Sequence, residues 1–175
     1  MFRFELHMNW QYIWNTLPRF IDATWITLQL SFWAIVLSLF IGFFCAIVTT
    51  YKVRMLNPIV KFYIELSRNT PLLIQVFFLY FGLSKVGIKL DGFTCAVIGL
   101  AFLGGSYMSE AIRGGLEAIP RAQLESALSL GLTPAQAFRY VLFPQAFAVA
   151  APAIGANSLF LMKETSVVSA IAIAE

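Results

Sequence analysis

Charged residues are scarce in this chain, and their scarcity excludes most soluble folds. Only 12% of the 175 residues are Asp, Glu, Lys or Arg, whereas 59% are hydrophobic; a soluble domain has about a quarter charged residues. The net charge of +3 is too small to indicate a nucleic-acid partner. The apolar runs are long and do not alternate with polar residues, which is typical of membrane-spanning helices rather than of a barrel. We therefore expect an all-α integral membrane protein.

The sequence also lacks the motifs that most hydrolases need. It has no Gly-x-x-x-x-Gly-Lys-Ser/Thr phosphate loop, no His-Glu-x-x-His and no Gly-x-Ser-x-Gly. Its single histidine, His7, lies near the N-terminus, so no metal site is predicted. Cys45 and Cys95 fall in apolar runs and are expected to be packing residues rather than a disulfide. Asp22 and Asp91 are expected in outer segments, which argues against an intramembrane aspartyl enzyme.

The apolar runs predict four membrane spans within residues 23–175. Residues 23–51 contain no charge and are long enough to cross the hydrocarbon core, which takes about 20 residues. Residues 1–22 precede them as an interfacial lead-in, with Trp10, Tyr12 and Trp14 at headgroup level. The other spans are expected at about residues 60–83, 92–109 and 145–163, with a cytoplasmic loop at 113–144.

The second and third spans carry further local signals. Asn57-Pro58 suits the N-cap and first position of a helix, and Thr70-Pro71 predicts a kink. Glu65 and Arg68 are three residues apart and can neutralise each other on one helical face. In the third span, small residues recur every four positions and favour close packing within the chain; they are Ala101, Gly105 and Ser109.

Positive charges predict the orientation in the membrane. Four of them follow the first span, and only Glu65 opposes them; they are Lys52, Arg54, Lys61 and Arg68. Because cytoplasmic loops are enriched in Lys and Arg, this concentration places the loop in the cytoplasm and the N-terminus outside.

Residues 119–146 are too polar to span a membrane but have a defined local pattern. Pro120 suits the first turn of a helix, and Gly131 suits the position just past its end. Thr133 then predicts an N-cap, with Pro134 and a capping-box Gln136 behind it, and Pro144 is expected to end the second helix. The pattern predicts two short helices joined by a glycine elbow, a shape suited to contact with another protein.

This stretch resembles the EAA loop of the membrane subunits of ATP-binding-cassette (ABC) importers. The matching positions are Glu125-Ser126-Ala127, Gly131 and Phe143-Pro144, with Ser126 replacing an Ala and Phe143 replacing a Leu. Two further strings, ELSRNTPLLIQVFFLYFGL and SYMSEAIRGGLEAIPRAQ, are similar to the polar amino-acid uptake subfamily, whose substrates are of the His, Glu, Gln and Arg type.

The resemblance implies an ABC importer type I transmembrane fold and a permease subunit in the bacterial cytoplasmic (inner) membrane. The subunit itself would bind no cofactor, because ATP and Mg would be bound by a pair of partner ATPase subunits docked on the EAA loop. Its other partners would be membrane lipid, a second permease subunit, the same or related, and a periplasmic or lipid-anchored amino-acid-binding protein. The family has one more span than the four expected here, so a fifth span is expected beyond Glu175.

The polar residues nearest the spans are the candidate substrate contacts. Lys163-Glu164-Thr165-Ser166 resembles a family element that lines the transport pathway, although a salt-bridged helix end is an equal alternative. Asn157 is a further candidate. Glu110 and Arg113 are also candidates, with a structural role favoured for this pair.

A second transport class stays open at this point. An ATP-independent secondary transporter or channel would need internal repeats, or broken helices with acidic residues near the membrane centre. The sequence shows no convincing repeat, and its apolar runs are almost free of acids. The importer is therefore the favoured interpretation, while the particular amino acid and the identity of the second permease subunit are left open.

Overall fold

The first apolar run of the sequence folds into one very long helix. In the computed structural model, which describes residues 10–171, helix α1 covers Trp10–Thr50. At about 1.5 Å per residue its 41 residues extend well beyond the thickness of a bilayer core. The predicted lead-in is therefore helical from Trp10 onward, whereas its residues 1–9, with His7, lie outside the described part, as do residues 172–175.

Every other element of the described part is also helical. Three stretches are long and apolar enough to cross a membrane, namely Trp10–Thr50, Gly92–Glu117 and Pro134–Val168, and Leu72–Lys85 is a shorter apolar helix. The elements after α1 are α2 (Asn57–Asn69), α3 (Leu72–Phe77), a π-helical turn (Phe78–Gly82), α4 (Leu83–Lys85), α5 (Gly92–Glu117), α6 (Arg121–Ser129), α7 (Pro134–Ala137), a second π-helical turn (Phe138–Leu142), α8 (Phe143–Val168) and a 3₁₀ turn (Ser169–Ile171).

The second apolar run is broken rather than kinked. Helix α2 ends at Asn69, and Thr70 is extended with φ −106° and ψ 124° before α3 begins at Leu72. The physical reason is Pro71, because the residue before a proline is pushed out of the helical region. The Gln75 amide crosses the break and donates to the carbonyls of Ser67 (3.1 Å) and Thr70 (2.9 Å), which satisfies two carbonyls at the end of α2.

Two predictions about helix ends are wrong. Asn57 is the first residue of α2 and not its cap, because the chain already turns before it: the Asn57 amide donates to the Val53 carbonyl at 2.8 Å. Pro144 does not end a helix. It is the second residue of α8, where a missing N–H costs little, and the helix continues to Val168.

Helix α5 is the centre of the bundle and packs against α1, α2, α3 and α8. Its small residues allow this: a Cβ on Gly105 would lie 2.6 Å from both Ile41 Cγ2 and Tyr63 Oη. Ala101 and Ser109 are buried on the same helix, which confirms that the small-residue face serves packing within the chain. Cys45 and Cys95 are buried free thiols in the two parts of the apolar core.

Candidate functional site: the elbow and the polar groups of the bundle

The glycine elbow is closed by backbone hydrogen bonds of its own. Gly131 has φ +82°, in the left-handed region that favours glycine, and lies two residues after the last residue of α6. Its N–H donates to the Leu128 carbonyl at 3.0 Å, and the Leu132 N–H donates to the Ala127 carbonyl at 3.2 Å. This pair of bonds is a Schellman motif, so the position predicted for Gly131 is confirmed.

The helix after the elbow begins with the predicted capping box. The Thr133 hydroxyl accepts the Gln136 N–H at 3.3 Å, while the Gln136 side-chain oxygen accepts the Thr133 N–H at 2.9 Å. Both ends of the turn are thereby satisfied without help from the rest of the bundle. The elbow is a hydrogen-bonded unit defined by local sequence.

Small buried residues and aromatic rings fix this unit to the bundle. Ala127 on α6 and Ala137 on α7 are buried. The ring of Phe138 lies 6.4 Å from that of Tyr51, and the ring of Phe143 lies 6.0 Å from that of Phe43. Tyr51 follows α1 and Phe43 lies within it, so both aromatic contacts join the end of the elbow to α1.

The outer face of the elbow carries apolar side chains that the chain does not cover. Glu125 and Ser126 are exposed, and beside them Leu128 is 41% and Leu130 83% exposed. The sequence analysis did not single out these two leucines. Their position was a usable signal, because large apolar residues in a stretch too polar to span a membrane are candidates for contact with a partner. Exposed leucines around one carboxylate form a surface that a protein partner can cover.

Glu110 and Arg113 belong to a closed charge cluster. The Arg113 guanidinium contacts Glu110 Oε2 and Glu117 Oε2, both at 2.7 Å, from positions three and four residues away on α5. The third member, Glu117, was missed, although its spacing from Arg113 was visible in the sequence. Arg113 thus links side chains of the last two turns of α5, just before the elbow.

Lys163 and Glu164 lie towards the opposite end of the bundle. Helix α8 runs antiparallel to α5, since Gly115 meets Ala146 whereas Gly104 meets Leu161. Lys163 and Glu164 therefore lie far from the Glu110–Arg113 cluster.

Within residues 10–171, neither Lys163 nor Glu164 joins an ion pair. Asn157 contacts the middle of α5, where its Nδ2 donates to the Tyr107 carbonyl at 3.2 Å.

Known sequences resemble the chain over nearly its whole length. The family described as "Binding-protein-dependent transport system inner membrane component" matches residues 38–174. The "Probable amino-acid ABC transporter permease protein PatM" of Vibrio harveyi is 35% identical over 95% of this chain and 76% of its own. The "Glutamine transport system permease protein GlnP" of Escherichia coli K12 is 31% identical over 97% of this chain and 78% of its own.

Solved structures resemble the fold described above. A chain from the crystal structure of an amino acid ABC transporter with histidines superposes with a TM-score of 0.86 at 35% identity, over 96% of this chain and 78% of that chain. A chain of the inward-facing MetNI methionine ABC transporter gives 0.75 at 21% identity, over 90% of this chain and 76% of that chain, which supports the fold alone. The predicted type I fold is confirmed, and the chain belongs to the family of binding-protein-dependent transport system inner membrane components, the permease subunits of ABC importers.

Proposed function

We propose that this chain is the permease subunit of an ATP-driven importer that carries polar amino acids across the bacterial inner membrane. Relatives named as amino-acid and glutamine permeases support the substrate class. The chain itself would bind no cofactor and hydrolyse no ATP; ATP and Mg would be held by a separate pair of ATPase subunits. The other partners would be membrane lipid, a second permease subunit and a periplasmic or lipid-anchored amino-acid-binding protein.

The elbow is the observation that carries this proposal. Its backbone is held by a Schellman motif and a capping box, and its inner face is buried through Ala127 and Ala137. Its outer face presents Glu125 together with the exposed Leu128 and Leu130. A locked unit of this kind transmits a displacement, whereas a flexible loop would absorb it. We infer that the coupling loop, residues 113–144, docks on the ATPase through the positions that match the EAA motif, which are Glu125, Ser126, Ala127, Gly131, Phe143 and Pro144.

The orientation follows from the same docking surface. An ATPase works in the cytoplasm, so the elbow end of the bundle would face the cytoplasm and the N-terminus would lie outside. Movement of the elbow would pass through the Phe43–Phe143 and Tyr51–Phe138 contacts to α1 and α8 and would change access to the transport pathway. In this orientation Glu110 and Arg113 lie at the cytoplasmic end of the pathway, and Lys163 and Glu164 lie at the outer end.

Co-purification tests the docking surface. The permease is expressed with its ATPase, extracted in detergent and captured by a tag, as wild type and as Glu125→Lys. We expect the ATPase to accompany the wild type and to be largely lost from the variant, because the substitution reverses a charge on the exposed face of α6. Gln123→Lys is the matched control, since it adds the same side chain to another exposed position of α6.

Uptake tests the substrate class. Proteoliposomes that contain the complex and its binding protein are assayed with radiolabelled L-glutamine, L-glutamate, L-arginine and L-histidine. ATP-dependent accumulation of at least one of them is expected. Uptake without ATP, or a wild-type chain that captures no ATPase, would refute the proposal in favour of an ATP-independent transporter.

A further inference from the structure

Arg68 lies at a depth in the bundle where a positive charge is costly. Its neighbour Ser67 donates to the Phe102 carbonyl at 3.0 Å and to Ser106 Oγ at 3.2 Å. Phe102 and Ser106 come 10 and 14 residues after Gly92, the first residue of α5, which places them about 15–21 Å along a helix of 26 residues. A cation at mid-membrane depth costs about 2.5–3.5 kcal/mol on insertion scales, and such groups face the bundle interior or a water-filled cavity.

The guanidinium rests on an aromatic ring and has no acidic partner in the described part of the chain. Its central carbon lies 5.1 Å from the centroid of the Tyr107 ring. The predicted pair with Glu65 is not formed, since no ion pair within residues 10–171 includes Arg68, and the side chain is exposed. No hydrogen bond within residues 10–171 uses the N–H groups of Arg68, and the edge of a guanidinium fits a carboxylate with two parallel hydrogen bonds.

Residues of α8 hold Tyr107 in place beside Arg68. The Phe160 ring meets the Tyr107 ring edge-on with centroids 5.3 Å apart. Asn157 donates its Nδ2 to the Tyr107 carbonyl, and its Oδ1 accepts no hydrogen bond from any residue between 10 and 171. Tyr107 thus contacts Arg68 of α2 through its ring and Asn157 of α8 through its carbonyl oxygen.

The break between α2 and α3 lies directly beside this cluster. Arg68 is the second-last residue of α2, and Thr70 is extended. Irregular backbone at membrane depth is tolerated only where it is buried in protein or lines a water-filled cavity. Broken helices mark binding sites in other transporters for this reason. A break at this depth is therefore not exposed to lipid, and it places irregular backbone next to Arg68.

We propose that Arg68, supported by the Tyr107 ring, binds the α-carboxylate of the amino acid during transport, and that Asn157 Oδ1 accepts a hydrogen bond from its α-ammonium group. The proposal rests on the proposed function, and it names the residue and the substrate group that meet inside the membrane. Arg113 is not available for this role, since its guanidinium already holds two glutamates.

Equilibrium binding to the permease–ATPase complex in detergent tests the site. The probes are L-glutamine and L-arginine, each compared with its α-carboxamide, which keeps the ammonium group and lacks the carboxylate. Wild type is expected to bind the acids at least about tenfold more tightly than the amides, since charge-assisted bidentate bonds are the strong ones. Arg68→Gln is expected to lose that preference and to bind the amides as wild type does.

Two variants separate recognition from structure. Lys61→Gln removes the same charge from the same helix seven residues earlier and is expected to leave binding unchanged. Tyr107→Leu removes the ring under Arg68 and is expected to weaken acid binding several-fold, whereas Tyr107→Phe keeps the ring and is expected to resemble wild type. ATPase co-purification is measured for each variant, because a merely structural role of Arg68 would reduce assembly rather than the acid-over-amide preference.

The outcomes distinguish the site from the function. Equal binding of acids and amides by wild type, or an unchanged preference in Arg68→Gln, overturns the site while uptake can still succeed. If Arg68→Gln does not assemble with the ATPase, the test rests on Tyr107→Leu. An unchanged preference of Tyr107→Leu for acids over amides would then overturn the site. A wild-type complex that neither binds nor imports any tested amino acid overturns the proposed function, and the site falls with it.

Discussion

Replacement of Gly131 by valine tests whether the elbow must keep its shape. A Cβ at Gly131 would meet no atom within 4 Å, so valine creates no clash, and its cost comes from the backbone. At φ +82° the left-handed conformation costs an L-residue about 1–2 kcal/mol, with β-branched residues at the upper end. Relaxation to negative φ would break the two Schellman bonds, worth about 0.5–1.5 kcal/mol each. The strained backbone alone, at about 1–2 kcal/mol, reduces the population of the native elbow about 5–30-fold.

The assay measures coupling rather than folding alone. Proteoliposomes with the complete transporter are assayed for both amino-acid uptake and ATP hydrolysis, and the ratio of the two is compared with wild type. Gly131→Val is expected to lower that ratio several-fold while the protein still inserts into the membrane. Gly114→Val is the matched control, because Gly114 also has open space around its Cβ position but has no positive φ.

Gly131→Asn provides a second control, because asparagine tolerates the left-handed region better than valine. It is expected to retain most of the coupling. Normal uptake and a normal uptake-to-hydrolysis ratio in Gly131→Val would refute the idea that the elbow transmits force as a rigid unit. A variant that fails to insert, while Gly114→Val inserts, would instead show that the elbow is needed for folding.

Three further predictions concern the stability of the bundle, and each is tested by thermal unfolding of the variants in detergent. Gly104→Ala should lower the free energy of unfolding by about 1–3 kcal/mol, because the added Cβ would overlap neighbouring helices. Gly155→Ala is the control, since its Cβ would enter open space and should change stability little. Equal melting temperatures of the two variants would contradict this prediction. Gln75→Leu should cost about 1–3 kcal/mol by leaving two carbonyls at the end of α2 without a donor, and no loss would show that they find other donors. Asp91 caps α5, so Asp91→Ala should cost about 1 kcal/mol and Asp91→Asn much less. Hydrogen bonds from Thr94 lower the pKa of Asp91, so this stabilisation is present at neutral pH and is lost as pH falls through that lowered pKa; a cap effect independent of pH would contradict the assignment.

Patterns that act within a few residues were read correctly from the sequence. Gly131 and the Thr133–Gln136 capping box form as predicted, because a positive φ and a side-chain cap depend on immediate neighbours. Local patterns failed where an adjoining turn intervened. Asn57 is not the N-cap of α2, because the chain already turns at Val53. Pro144 does not end a helix, because it lies in the first turn of α8, directly after a π-helical turn.

The charged residues show what local spacing could not predict. Glu65 and Arg68 have the spacing of an ion pair, yet Arg68 turns to Tyr107, which is 39 positions away in the sequence. Arg68 was also counted with the loop charges, whereas the contacts of Ser67 place it near the middle of α5. The i, i+3 rule permits a contact, but a competing aromatic ring on another helix determines which contact forms.

The sequence by itself determined the membrane class, the apolar helices and the elbow, because hydrophobic run length, proline and glycine act along the chain. Only the tertiary structure decided which polar groups meet. It separated Lys163 and Glu164 from the Glu110–Arg113 cluster, and it joined α2, α5 and α8 at Tyr107. The physical reason is that these contacts depend on the direction and depth of each helix, which are set by close packing around the small residues of α5 rather than by local sequence.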